Sequence, residues 1–350
     1  MRTVGGSRVG PREHMGDCGF DMPSYKTKAI VLKKTKLKEK DLILTLLGEN
    51  GEQIRAVAKG AQKPGSTFSA RLEVFSVVDL MLYKGRNLDT VTDVRTIATN
   101  EACRTDVVRL SYGAVMAELV EKTALEGQEM PVTYPLTATA LESLGRADEA
   151  VLPFVTAAFL IKLIAYLGYR PSFDECTMCG RPRAEASGNV AGDGAGSAAR
   201  VFGAGIAGDD VPEALEDKLG GVGLGGGMAD AGVDGGTASA GGGAAPVAGG
   251  GVPGAFSVSS GGWVCGECAQ VAELGYDDLV DANVAAWAKT LMSLRFSEVE
   301  ELLSATAEDE GGSVGMDALA GELLDFCERW AGVHLGIRLK SLGYLSRLNI

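Results

Sequence analysis

Two Cys-x-x-Cys pairs, separated by 85 residues, constrain the fold of this chain more than any other feature of its sequence. The first pair is Cys176 and Cys179, followed by Gly180, and the second pair is Cys265 and Cys268. Thiolates at this spacing are typical of a tetrahedral zinc site, which would bring the two distant segments together. Four sulfur ligands leave no position for water, so the zinc would be structural. A redox-active dithiol and a metal-free relic are the alternatives.

The segment between the two pairs is dominated by glycine. Residues 184–262 contain 25 of the 49 glycines of the chain, mixed with Ala, Ser and Asp. This composition cannot supply a packed core, so we predict a zinc finger at 172–270 that is interrupted by a disordered insertion at about 184–255. A long flexible loop adds only about 2 kcal/mol to the cost of closure. Structural zinc binding supplies on the order of 10 kcal/mol or more, so the finger tolerates the insertion.

A formal Gly-x-Gly-x-x-Gly pattern lies inside this insertion, at Gly221, Gly223 and Gly226. A dinucleotide site needs a strand before this pattern and a helix after it, and the sequence predicts neither. We attribute the match to chance in a glycine-rich segment.

Charge is distributed unevenly along the chain, whose formal net charge is −13. Residues 23–100 hold 14 Lys and Arg against 8 Asp and Glu, whereas residues 101–350 hold 16 against 35. This contrast indicates a polyanion-binding module attached to an acidic body. We predict that the cations of the module contact DNA phosphates, the candidates being Lys33, Lys34, Lys36, Lys38, Lys40, Arg55, Lys59, Lys63, Arg71, Lys84 and Arg86. The alternative is a zinc-containing interaction scaffold without intrinsic DNA binding, whose module binds acidic protein segments.

The periodicity of residues 23–100 is that of β-strands. We predict five strands, at 25–32, 41–47, 53–59, 72–83 and 88–97, with a loop at 60–70. Asn50 and Gly51 form a predicted hairpin turn. Five short strands in about 75 residues favour a small closed barrel, and the OB-fold is the commonest five-stranded barrel. The aromatic rings available to stack on bases are Tyr25, Phe68, Phe75 and Tyr83, and Phe75 is assigned to the core.

After Asn100, a plausible helix N-cap, the period becomes helical. Val108, Tyr112, Val115 and Leu119 share one helix face, and further helical patterns cover 132–146, 150–168, 281–303 and 314–335. The predicted fold is therefore multi-domain α+β. A disordered extension (1–22) precedes an OB-fold DNA-binding domain (23–100), and an all-α domain with a four-cysteine zinc finger follows (101–350).

Catalysis and membrane insertion find little support in the sequence. The only histidines are His14, in the predicted disordered extension, and His334, on a predicted helix stripe, and no Walker A loop is present. We therefore expect no catalytic residue and no enzyme. The most apolar run, at 150–161, is too short to cross a bilayer and the N-terminus lacks a secretory signal, so we expect a cytoplasmic protein without a membrane partner.

Several segments resemble the RecO family of recombination mediators, and they occur in the order of that family. The segments are 29–32 (AIVL), 56–61 (AVAKGA), 80–85 (LMLYKG), 117–120 (AELV), 163–171 (LIAYLGYRP) leading into 176–180 (CTMCG), 256–268, 334–341 (HLGIRLKS) and 344–345 (YL). The last two resemble the family's C-terminal helix. The glycine-rich insertion and residues 1–22 depart from the family pattern.

The resemblance implies a nucleoid-associated protein that binds single- and double-stranded DNA and anneals complementary strands. It also implies two protein partners, RecR and the single-stranded-DNA-binding protein, and an indirect role in loading RecA. None of these activities requires ATP. A cationic surface promotes annealing because it neutralises the phosphates of both strands and lowers their repulsion.

Overall fold

Five strands of the N-terminal region pair with one another in a cyclic order. They appear in a computed structural model that describes residues 23–183, 254–307 and 313–348. The strands are β1 (Ser24–Lys36), β2 (Leu42–Gly48), β3 (Gln53–Ala58), β4 (Val77–Tyr83) and β5 (Asp89–Ala98), and a short helix, α1 (Thr67–Arg71), precedes β4. The predicted extension at 1–22 and the pattern of Gly221, Gly223 and Gly226 lie outside the described residues, as does most of the predicted insertion.

The strand order is β1-β2-β3-β5-β4, and β1 also pairs with β4. Neighbouring strands are antiparallel except β3 and β5, which two parallel residue pairs join, Ala56 with Asp89 and Val57 with Thr90. Because side chains alternate along a strand, every second residue points inward, and these inward residues are mostly apolar. These residues form a buried cluster that includes Ala29, Val31, Leu42, Leu44, Leu46, Ile54, Val78, Leu80 and Leu82. The number of strands and the alternation of their side chains match the sequence prediction, although β1 continues to Lys36, four residues beyond its predicted end. We call the five strands the N-terminal sheet.

The predicted long strand at 72–83 is wrong in its first half. Helix α1 begins near the end of the predicted loop at 60–70 and reaches Arg71, and β4 begins only at Val77. Phe75 has a φ of 68° and a fully buried ring, and a residue with positive φ interrupts a strand. Asn100 is not a helix N-cap either, because Glu101 directly precedes α2; the Asn100 side-chain amide instead donates to the carbonyl of Phe75 at 2.9 Å. The burial of Phe75 therefore determines the chain path here.

The remainder of the described chain is mainly helical. Up to residue 183 the helices are α2 (Ala102–Thr105), α3 (Val107–Thr123), α4 (Thr133–Arg146) and α5 (Leu152–Ile164), which continues in a π-helical turn to Tyr169. From residue 254 onward they are α6 (Gly266–Val271), α7 (Ala282–Ser293), α8 (Phe296–Ala307), α9 (Ser313–Trp330), extended by a π-helical turn to Leu335, and α10 (Lys340–Leu348). Three short strands, β6 (Ala255–Ser257), β7 (Gly262–Val264) and β8 (Leu279–Val280), form a second sheet.

Helix α5 lies at the centre of the helical region and contacts α3, α4, α7 and α9. The stretch Glu149–Tyr169 is long and apolar enough to cross a membrane, but 72% of its most apolar window is buried inside the protein. Burial in the interior of the protein therefore explains why this stretch is so apolar. Lys162 is the one cation on this helix, and its Nζ donates to the carbonyl of Met292 at 2.7 Å, at the end of α7.

The single helical pattern predicted at 281–303 is two helices. Lys162 caps the last turn of α7, and the Glu298 carboxylate accepts from the backbone N–H of Arg295 at 2.6 Å, at the start of α8. Both ends are thus satisfied by side chains, which makes a break near Leu294 favourable. One of the two caps comes from α5, so the local sequence pattern does not contain it.

The N-terminal sheet packs directly on the helical region. Ile30, Leu47 and Phe75 belong to the same buried cluster as α3 and α4. Gln53 Nε2 donates to the carbonyl of Glu121 at 2.7 Å, at the end of α3. The predicted turn at Gly51 lies at this contact, where φ is +84° and a Cβ would come within 1.8 Å of the Met130 carbonyl oxygen. Only glycine fits the turn because the two regions approach so closely.

The C-terminal segment is two helices rather than the single helix that the resemblance implied. Helix α9 and its π-helical turn end at Leu335, and Gly336 adopts a left-handed conformation, with φ of 67°. A new helix, α10, begins at Lys340, where both carboxylate oxygens of Glu118 on α3 accept backbone N–H groups, from Lys340 at 3.0 Å and from Ser341 at 2.8 Å. Glu118 therefore caps α10 from a neighbouring helix.

The pKa of Glu118 reflects this role. Burial by itself raises the pKa, but hydrogen bonds from Lys122, Ser341 and Lys340 outweigh burial and lower the pKa to about 2, from an ordinary value of 4.5. A lowered folded-state pKa means that the stabilisation is complete above the ordinary value and is lost as the pH falls toward the folded value.

We predict that Glu118→Gln destabilises α10 by on the order of 1 to 3 kcal/mol at neutral pH, because the amide keeps one acceptor and loses the charge. Amide hydrogen exchange of Ser341 and its neighbours should accelerate in the variant. The parent should approach the exchange rate of the variant as the pH falls from about 4.5 toward 2, once intrinsic exchange is corrected for. Equal protection in the two proteins at pH 7 contradicts the capping role.

Candidate metal centre and candidate nucleic-acid interface

The two Cys-x-x-Cys pairs come together where the second sheet meets the end of α5. Cys176 and Cys179 lie in a turn after the π-helical end of α5, Cys265 directly follows β7, and Cys268 lies in the first turns of α6. The described chain resumes at Gly254, and Ala255 already pairs with Val264, so the predicted insertion reaches at least one residue too far. The segments on either side of the insertion therefore share one structural unit.

The four sulfur atoms have the geometry of a metal site. All of them lie within 4.8 Å of one another, and Cys179 Sγ is 3.8 Å from Cys265 Sγ. A tetrahedral zinc ion with Zn–S distances of about 2.3 Å requires sulfurs about 3.8 Å apart. The donor set, which we call the four-cysteine cluster, thus fits a tetrahedral thiolate-bound metal ion.

Backbone hydrogen bonds hold the two halves of the cluster together. Thr177 N–H donates to the carbonyl of Trp263 at 3.0 Å, and Trp263 N–H donates to the carbonyl of Ser172 at 2.8 Å. Gly262 allows this approach, because its φ is +145° and a Cβ there would lie 2.2 Å from the Ser172 carbonyl oxygen. The chain on either side of the insertion is therefore joined by backbone contacts as well as by the cysteines.

The thiols of the four-cysteine cluster are electrostatically unequal. Burial raises the pKa of Cys176, but the backbone N–H groups of Cys265, Cys179 and Met178 outweigh burial and lower the pKa to about 6. Hydrogen bonding to the Cys265 and Cys179 sulfurs raises the pKa of Cys268 to about 12. Four adjacent sulfurs resist full deprotonation because their charges repel, and a bound dication removes that repulsion.

Aromatic side chains anchor the segments that carry the four-cysteine cluster and the second sheet to the helical region. The rings of Phe173 and Phe256 stack with centroids 5.3 Å apart, and Phe256 also contacts Phe326, at 6.1 Å. Trp330 Nε1 donates to the carbonyl of Tyr169 at 2.9 Å. His334 Nε2 lies 2.8 Å from the Val258 carbonyl oxygen, so His334 joins the end of α9 to the second sheet.

Four of the predicted DNA-contacting lysines surround one open depression of about 570 Å³. We call it the lysine depression, and its lysines are Lys38, Lys40, Lys59 and Lys63. Glu39 and Asp41 also line the depression, and the Asp41 carboxylate accepts the backbone N–H of Gly60 at 2.8 Å. This bond joins the β1–β2 loop to the loop after β3. Within the described ranges none of the four lysines forms an ion pair, so their charges are available to an anion.

Three of the predicted cations have protein partners instead. Lys33 pairs with Glu121 at 2.7 Å, Lys34 with Glu73 at 2.8 Å, and Lys84 with Asp89 at 3.7 Å. The first pair links the N-terminal sheet to α3. These contacts give Lys33 and Lys34 a structural role that competes with phosphate contact.

The remaining predicted cations are spread around the N-terminal sheet. Lys36 and Arg55 are exposed on β1 and β3, and Arg86 is exposed in the β4–β5 turn. Arg71 also donates to the carbonyl of Val94 at 3.0 Å. Of the cations predicted to contact DNA, the structure therefore gathers only the four of the lysine depression in one place.

Sequence reasoning missed three exposed cations on the outer face of the N-terminal sheet, Lys26 and Lys28 on β1 and Arg95 on β5. Lys28 and Arg95 are both paired in register with Asp79 on β4. Alternation along β1 was a usable signal, because Lys26 and Lys28 occupy every second position ahead of the buried Ile30.

The chain combines an N-terminal five-stranded sheet, a helical region and a cluster of four cysteines. Two family profiles match a chain of this organisation. The family profile described as "Recombination protein O N terminal" matches residues 22–100, and the one described as "Recombination protein O C terminal" matches residues 104–207. The chain belongs to the RecO family of DNA repair proteins. The resemblance noted in the sequence is thereby confirmed.

Curated relatives carry the name DNA repair protein RecO. The chain is 34% identical to the protein of Symbiobacterium thermophilum over 169 residues, which cover 48% of this chain and 66% of the relative. It is 38% identical to the protein of a Nocardioides species over 162 residues, 46% and 66% of the two chains. It is also 38% identical to the protein of Frankia casuarinae over 175 residues, 49% and 72% of the two chains. The matched part thus spans just under two thirds of the first two relatives.

Proposed function

We propose that this protein is a DNA-binding recombination mediator that binds single- and double-stranded DNA and anneals complementary strands. We further propose that it acts with RecR and the single-stranded-DNA-binding protein, and that it assists the loading of RecA. Membership of the RecO family supports a role in DNA repair and recombination. In this proposal the protein acts in the cytoplasm, associated with the nucleoid, and uses no catalytic residue.

The observation that carries the DNA-binding proposal is the lysine depression. Its four ammonium groups have no carboxylate partner among the described residues. They lie in two loops that are joined by the hydrogen bond from the Gly60 N–H to the Asp41 carboxylate. Phosphates that bind such a cluster release condensed counterions, which makes affinity sensitive to salt and independent of sequence. The same cations lower the repulsion between two strands, which is the physical requirement for annealing.

We also propose that the N-terminal sheet is an OB-fold barrel within a domain at 23–100, followed by a helical domain at 101–350. The cyclic strand order supports this proposal. Cys176, Cys179, Cys265 and Cys268 would hold one zinc ion, and the sulfur geometry supports this assignment. A bound zinc would cross-link the two segments that flank the insertion and would have a structural role.

The test is equilibrium binding of the full-length protein to unrelated single-stranded and duplex oligonucleotides across a salt series. We expect binding to all sequences, with affinity that falls steeply and log-linearly with salt concentration. A folded protein that binds none of these oligonucleotides, at low salt and with its metal content verified, contradicts the proposal.

A further inference from the structure

Tyr83 differs from the other aromatic residues of the N-terminal sheet in its exposure. Phe75 is fully buried, Phe68 is half-buried against the inner cluster, and the hydroxyl of Tyr25 donates to Asp89. Tyr83 lies at the last position of β4 and is 46% exposed. Among residues 23–100 it is therefore the one aromatic ring that is free to meet a ligand in solution.

One exposed cation lies diagonally across the strand pair from Tyr83, and two further cations follow Tyr83 in the chain. Tyr83 pairs in register with Ser24, so Lys26, two residues along the same face of β1, is its diagonal neighbour. Lys26 is exposed and forms no ion pair within the described part of the chain. After Tyr83 the chain turns through Lys84 and Arg86. Lys84 is held by Asp89 and the Tyr25 ring, whereas Arg86 is exposed.

This group lies apart from the lysine depression. Strands β3 and β5 are parallel, with Ala56 opposite Asp89, so the turn that precedes Asp89 lies toward the start of β3. Lys59 and Lys63 of the depression follow the other end of β3. The two groups of cations therefore lie at opposite ends of the N-terminal sheet.

We propose that Tyr83 is a stacking platform for an unpaired base of single-stranded DNA, with Lys26 and Arg86 contacting the phosphates on either side. This inference rests on the proposed function and adds a second DNA-contact site to it. A duplex hides the faces of its bases within the stack, so an exposed ring beside cations discriminates in favour of single strands. The lysine depression contacts phosphates alone and lacks this discrimination.

With one DNA strand held at each end of the N-terminal sheet, the two sites together would promote annealing. The Tyr83 site would hold an unpaired strand by one of its bases, while the lysine depression attracts the backbone of a second strand. The sheet would then bring the two strands together without a base-reading helix.

The test compares full-length Tyr83→Ala, Tyr83→Phe and the parent in binding to a single-stranded oligonucleotide and to a duplex, measured by fluorescence anisotropy at one moderate salt concentration. We expect Tyr83→Ala to weaken single-strand binding by about fivefold or more, because one base–aromatic stack is lost. Duplex affinity should change by less than about twofold, and Tyr83→Phe should bind like the parent. Tyr276→Ala is the matched control, because Tyr276 is 92% exposed and lies near the finger.

The outcomes are distinguishable. Unchanged single-strand affinity in Tyr83→Ala overturns the stacking site, as does an equal loss on single strands and duplex. Circular dichroism establishes that Tyr83→Ala is folded. If the parent itself binds neither DNA, the proposed function fails, whereas a parent that binds both DNAs and a Tyr83→Ala variant that binds like it defeat only the stacking site.

Discussion

Cys265→Ser should abolish zinc binding and destabilise the finger, whereas the purified parent should contain about one zinc per chain. Cys265 is 5% exposed, contributes one of four sulfurs within 4.8 Å of one another, and precedes the helix that carries Cys268. A structural zinc ion contributes on the order of 10 kcal/mol, so the loss of one ligand removes a large stabilising free energy. Because Phe173 and Phe256 connect the finger to the helical core, we expect Tm to fall by at least about 5 °C.

Cys103→Ser is the matched control for this substitution. Cys103 is fully buried, and its thiol lies 3.3 Å from the Leu141 carbonyl, a contact that a serine hydroxyl can keep. Cys103→Ser should retain the zinc content of the parent, measured by elemental analysis under reducing conditions. Less than about half a zinc per chain in the parent, after purification with zinc available, would exclude the four-cysteine zinc site.

Removing the four charges of the lysine depression should weaken DNA binding for every sequence. In single-strand binding each lost phosphate contact lowers the slope of log affinity against log salt by about 0.7, so the combined alanine variant of Lys38, Lys40, Lys59 and Lys63 should lose about 3. These lysines are exposed and make no ion pair in the described chain, so the variant should stay folded.

A control of equal charge replaces four exposed cations of the helical region, Arg146, Arg170, Lys289 and Arg338. It changes the net charge of the protein by the same amount and leaves the depression intact. Its salt slope should stay close to that of the parent. Equal slopes for the two quadruple variants mean that the long-range charge of the protein, rather than the depression, sets the affinity.

Local sequence patterns predicted the elements that depend on neighbouring residues. Alternation located the five strands, the Asn50–Gly51 turn was recognised from its dipeptide, and the Cys-x-x-Cys spacing selected four sulfurs that the fold brings within 4.8 Å. Each of these signals lies within a few residues of the feature that it predicts, except the meeting of the two cysteine pairs. That meeting was inferred from the requirement for four ligands.

The features that sequence reasoning missed depend on distant partners. The buried ring of Phe75 requires a positive φ that interrupts the predicted strand, and Lys162 ends α7 from another helix. Lys33 pairs with Glu121, which lies 88 positions further along the chain, whereas Lys38 has no such partner among the described residues. Charge counting could not distinguish these two lysines. Only the tertiary structure separates cations that support the fold from cations that are available to a ligand.

The central claim, that this protein is a strand-annealing mediator, is tested most directly by the rate at which two complementary oligonucleotides anneal in its presence. Dye-labelled strands followed by energy transfer across a salt series measure this rate without ATP. We predict a large acceleration at low salt that declines as salt rises, and a much smaller one for the quadruple variant of the lysine depression. A folded, zinc-loaded parent that leaves the annealing rate unchanged at every salt concentration contradicts the account.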